Sequence, residues 1–230
     1  MSIFRSFTID TIASINIRDR DIVFKRIDKE KVELIESVKS IIRVSRILSI
    51  PNNSSIELRP LPPSGYGINV DFLYISLPQP LSLIPKTQTL TTIDIPIDIG
   101  IYVNNNLIHK ISPSIIKYAL YGPPNTGVLC RYIDSNIIAN TPKDYLGIMH
   151  ISMINNHKEV VNINKIIIPI KGLIVCLYNK QKPIYNLVHV DISNENYVEV
   201  YTDTKIPSED TEVLCFNTID NAKYIMLYGA

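Results

Sequence analysis

The sequence predicts an all-β, mainly antiparallel fold of β-sandwich architecture, arranged as two packed sandwich-like halves with one N-terminal helix. Three observations predict it. Apolar residues occupy every odd position from Ile93 to Val103, and only a strand places such a run on one face, since a helix would spread it around its circumference. Short apolar runs then follow residue 146 at regular intervals, separated by turn residues, as in Ig-like sandwiches. Isoleucine outnumbers leucine and 13 tyrosines are present, and β-branched and aromatic side chains suit a pleated, half-buried surface. An AT-rich genome would raise the same residues, so position carries more weight than count.

Taken in order, residues 9–17 and 21–27 read as a hairpin turned by Arg18-Asp19-Arg20. Asp28 is placed to cap a helix over 29–48, in which Leu34, Ile35, Val38, Ile41, Ile42 and Leu48 recur at three- and four-residue intervals. Its β-branched content leaves a strand reading open. Between residues 51 and 85, six further prolines with Gly65 and Gly67 restrict the chain to short edge strands at 55–59 and 71–77. The alternating run follows. Pro96 lacks a donor and Gly100 weakens a ladder, so this strand is expected at an edge or bulged, with Asp94 and Asp98 on its polar face. Asn104-Asn105-Asn106 turns it into 107–111. Further strands are expected at 128–133, 146–154, 160–168, 173–177, 184–192, 197–202, 211–216 and 223–227. The domain reading is 1–143, β-rich with Pro-rich connections, and 144–230, an Ig-like sandwich; one continuous domain is the alternative.

Composition narrows function mainly by exclusion. Lys and Arg total 23 against 22 Asp and Glu, for a net charge of +1. The basic residues are scattered, without the stripe that phosphate-driven nucleic-acid binding leaves. Cys130, Cys176 and Cys215 are far apart and form no C-x-x-C, so neither a zinc ribbon nor a disulfide framework is expected. They read as buried small hydrophobes in a reducing, cytoplasmic setting. No run approaches the ~20 apolar residues that span a bilayer.

The candidate motifs mostly fail on their own chemistry. Gly122-Pro123-Pro124-Asn125-Thr126-Gly127 opens like an ATPase phosphate loop, but Val128 and Leu129 stand where Lys and Ser or Thr must follow. A rigid turn is expected instead, presenting Tyr121, Asn125 and Arg131 near one another. Asp94 and Asp98 are four strand residues apart, about 13 Å, too far for paired carboxylates on one glycosidic bond. His189 and Asp191 share a strand face, but no third ligand accompanies them. No residue is assigned a catalytic or metal role, and no cofactor is expected.

Pro96-Ile97-Asp98-Ile99-Gly100-Ile101-Tyr102-Val103, Lys117-Tyr118-Ala119-Leu120-Tyr121-Gly122-Pro123-Pro124 and Gly127-Val128-Leu129-Cys130-Arg131-Tyr132 together resemble an archaeal family of uncharacterised proteins, a domain of unknown function. The resemblance implies an archaeal source and a β-rich fold. It brings no activity, cofactor or catalytic residue. The resulting expectation is a non-enzymatic protein-interaction module, with the Tyr121, Asn125 and Arg131 loop and the Asp94 and Asp98 face as its surface. The alternative is a small-ligand or carbohydrate-active β protein in which Asp94, Asp98, Arg131 or His189 converge in a pocket. The expected partner is an unidentified protein, with no nucleic acid and no membrane span.

Overall fold

A computed structural model describes residues 3–135, 145–178, 182–193, 197–204, 213–215 and 223–227. The first strands are β1 (Ser6–Phe7), β2 (Ile12–Ile17), β3 (Arg20–Arg26), β4 (Lys31–Val38), β5 (Ile41–Ser49) and β6 (Ile56–Leu61). Next come β7 (Phe72–Leu83), β8 (Thr87–Pro96), β9 (Asp98–Val103), β10 (Asn106–Ile111), β11 (Lys117–Tyr121) and β12 (Val128–Asp134). Then follow β13 (Leu146–Asn155), β14 (Val161–Pro169), β15 (Val175–Tyr178) and β16 (Lys182–Tyr185). Last are β17 (Val188–Ile192), β18 (Tyr197–Thr202), β19 (Val213–Cys215) and β20 (Lys223–Leu227). The fold is all-β. Among the described residues the one helical element is a three-residue 3₁₀ turn, Ile170–Gly172, and no helix is long and apolar enough to cross a membrane.

The chain forms two compact units. One contains residues 1–60 and 98–113, the other 61–97 and 114–230. The domain boundary expected at 143–144 lies outside the described residues. The strands on either side of it share sheets: β13 ladders with β8 over ten residue pairs, and β14 ladders with β7.

The first unit holds two four-stranded sheets, the antiparallel meander β2-β3-β4-β5 and the sheet β1-β6-β9-β10. Alternation points Ile22 and Phe24, then Val32 and Leu34, into the core, all fully buried. The sheets face each other there: Phe7 meets Phe24 edge-on at 5.9 Å.

In this unit the helix expected over 29–48 is replaced by the β4–β5 hairpin. Asp28 does act as a cap, but of a turn: its Oδ1 accepts from the backbone N–H groups of Glu30 and Lys31, both at 2.8 Å. Those are the two- and three-residue offsets at which an N-cap also accepts, so the chemistry is shared by both structures. These bonds, the Glu30 one foremost, hold the Asp28 carboxyl below its ordinary value. The turn between the strands is Lys39-Ser40, with φ of 48° and 64°, the left-handed pair that a two-residue hairpin requires.

The second unit packs the sheet β11-β12-β7-β14 against a larger one. The larger runs β19-β15-β16-β13-β17-β18-β20, with β8 on the other edge of β13. Antiparallel pairing dominates, but β12 runs parallel to β7, and β13 runs parallel to both β16 and β17. β14 lies against β18 and β20, and Phe72 meets Tyr224 at 4.5 Å.

The alternating run, expected as one interrupted strand, belongs to both units. β8 ends at Pro96 in the second unit and β9 begins at Asp98 in the first. Ile93, Ile95, Ile97, Ile99 and Ile101 are all fully buried. Pro96 cannot donate to a ladder, and Ile97 turns its N–H to the Tyr145 carbonyl at 3.0 Å. β9 is covered on both faces, so Asp98 is fully buried rather than solvated.

Candidate interaction surface

The loop of Tyr121, Asn125 and Arg131 is rigid, but it does not assemble the three side chains. Pro123 O accepts from Gly127 N at 2.6 Å and from Thr126 N at 3.1 Å. Gly122 takes φ +97°, and a Cβ on Gly127 would stand 2.7 Å from Pro123 O, so both glycines are required. Tyr121 is buried, edge-on to Tyr74 at 6.4 Å and 5.7 Å from the Lys165 ammonium. Register pairs Tyr121 with Val128 and Tyr118 with Arg131, which sets Tyr121 and Arg131 on opposite faces of the sheet. Arg131 is 1% exposed, and its Nη1 donates to Ser64 O at 2.7 Å. Asn125, at the loop tip, is exposed. Val128 opens strand β12, so no helix follows the loop to receive a phosphate.

The other candidates lie apart. Asp98 belongs to the first unit and Asp94 to the second. Asp94 Oδ1 is buried with no hydrogen-bond partner, and burial raises its carboxyl above the ordinary value. His189 lies on the same face of the large sheet as Asp94. Asp94 pairs with Ile148 and His189 with Ser152, so about 13 Å of β13 and two strand spacings separate them. His189 stacks on Tyr201 at 4.8 Å and faces Asp203 at 3.9 Å, while Asp191 accepts from Asn156 at 2.9 Å. Among the described residues no three candidate ligands cluster for a metal. Cys130 is buried, its thiol pushed up to about 11 by burial. Cys176, expected as a simple buried thiol, is disulfide-bonded; its backbone register partner on β19 is Cys215.

The feature that does form a surface is β5, which the helix reading concealed. It closes the order of the meander, and among the described residues no strand pairs with its outer edge. Its nine residues, IIRVSRILS, are exposed or half-exposed throughout. Ile41, Ile42 and Ile47 are 59%, 63% and 64% exposed. Ile42, Ser45 and Ile47 pair with Ser37, Ile35 and Glu33 on the outward face, while Arg46 pairs with Leu34 on the inward face. A register shift between Glu36 and Ser37 leaves Arg43 as the extra residue of a bulge.

Behind this edge stands a buried polar chain. Glu36 follows Val32 and Leu34 on the inward face of β4 and is 2% exposed. Arg20 Nη1 donates to its Oε1, and His109 Nε2, from β10, lies 3.0 Å from its Oε2. Arg46 Nη2 meets His109 Nδ1. That geometry suits an imidazole protonated on Nε2 and accepting at Nδ1. Burial pushes the Glu36 carboxyl up, but the bonds from His109 and Arg20 outweigh it and hold the carboxyl below its ordinary 4.5. Both imidazole nitrogens are engaged, and the pair links β4 to β10. Sequence reading missed it, although Glu36 and Arg46 at inward positions are visible once the strand period replaces the helix period.

Among proteins of curated function, none matches this chain, and no solved structure matches it. The family model described as a protein of unknown function (DUF432) matches residues 3–219, and the chain belongs to that family.

Proposed function

We propose that the protein is a non-enzymatic interaction module that takes an extended segment of a partner protein along the free edge of β5. The observation that carries the reading is the edge itself, which no strand pairs among the described residues: nine residues long, with Ile41, Ile42 and Ile47 exposed. An open strand edge presents a row of backbone donors and acceptors, and main-chain pairing supplies affinity while alternate side chains supply selectivity. Exposed isoleucines beside that row add apolar area that a paired segment would cover.

Selection of displayed random peptides against the full chain tests this. The expected winners are extended, strand-forming sequences whose binding falls about tenfold in an Ile42→Ser, Ile47→Ser double variant that keeps its fold by circular dichroism. Failure to enrich any sequence, or binders indifferent to both substitutions, would overturn the reading.

A further inference from the structure

We infer that the segment accepted by β5 is acidic, with carboxylates set to meet Arg43 and Arg46; this rests on the strand-addition reading above. The strand carries two arginines and no acid. The unit that contains it has 12 Lys and Arg against 9 Asp and Glu, while the whole chain is nearly neutral at +1. The basic excess is therefore concentrated on the unit that owns the free edge.

The arginines occupy different places. Arg43 is the bulge residue, exposed and without a register partner on β4. Arg46 leans inward to His109, and Arg20 takes the other carboxylate oxygen of Glu36. The one buried carboxylate is thus shared by Arg20 and the His109 imidazole, while Arg46 meets the imidazole and not the carboxylate, so cationic charge is left over at the rim of β5. An incoming carboxylate beside Arg43 and Arg46 would balance it and form charge-assisted hydrogen bonds.

The same arithmetic disfavours a second copy of this chain on the edge. Antiparallel pairing of β5 with itself lays two arginines of one strand among two of the other, with no acid on either. Like charges brought opposite each other in a ladder are destabilising.

The test uses the full chain and three labelled peptides of alternating Val and Thr carrying two Glu, two Gln or two Lys, followed by fluorescence anisotropy. The Glu peptide is expected to bind about tenfold tighter than the Gln peptide and to lose that advantage in high salt. Arg43→Glu, an exposed change that leaves the core untouched, is expected to reverse the order in favour of the Lys peptide. Equal binding of the Glu and Gln peptides would overturn the acidic-partner inference and leave strand addition standing. If no peptide binds and sedimentation shows a dimer abolished by Ile42→Ser with Ile47→Ser, the edge belongs to a second copy and both readings fall.

Discussion

Asn186 shows how much one buried polar side chain organises. It is 1% exposed and sits between β16 and β17. There, three steps along β13, from Ile148 to Ile151, match four along the neighbouring strand, from Ile184 to Val188. The extra residue is a bulge. Asn186 Nδ2 donates to Gly172 O at 2.9 Å and to Asp203 O at 2.7 Å, and its Oδ1 accepts from Ile174 N at 3.0 Å. Asn186→Ala orphans all three backbone groups, and should cost about 3 kcal/mol in urea unfolding. A loss under about 1 kcal/mol would show that water replaces the amide. Glu36 makes the corresponding case in the other unit. Glu36→Gln removes the anion between Arg20 and His109, and is expected to cost about 3 kcal/mol at neutral pH. Because the folded carboxyl is held below 4.5, its stabilisation is complete above that pH and is lost as pH falls through the folded value. The variant should therefore show a flatter acid limb than the parent in a pH series of unfolding curves.

At the level of elements, the β4–β5 hairpin was the hardest to read, for identifiable reasons. Asp28 satisfies the same backbone groups in a turn as at a helix start, and the Lys39-Ser40 turn lacks the Asn-Gly pair that announces left-handed residues. The apolar residues from Leu34 to Leu48 fit both periods until the break at 39–40 is allowed. The β-branched residues pointed the right way. The hairpin offers its own test: Lys39→Asn with Ser40→Gly relieves two strained φ angles and should stabilise the protein by about 1 kcal/mol. Destabilisation by that pair, read from the urea midpoint, would argue against the turn. By contrast, the hairpin of β2 and β3, the Asn104-Asn105 turn and the rigid loop at 122–127 were all legible, because their turn chemistry is local. The parallel pairings of β12 with β7 and β13 with β17 were not, since pairing across long separations leaves no local mark.

For the molecule as a whole, β structure was legible and its partition was not. Alternation runs unbroken through Ile97, yet that is where the chain passes from one unit to the other. The period reports burial on a face, and it is blind to which core does the burying. The candidate residues fared similarly. Tyr121, Arg131 and Asp98 are chemically conspicuous in sequence but buried in the fold, whereas β5 reads first as part of a helix, with a strand as the alternative. Its value as a surface depends on sheet order, which places it last in the meander with a cationic rim. Hydrogen exchange of the β5 amides, 41–49, with and without the two-Glu peptide, tests that claim most directly. Strand addition predicts that the outward-facing amides of β5, fast in the free protein, become strongly protected in the complex while the β8–β13 ladder is unchanged. Saturated binding with no added protection in β5 would contradict it.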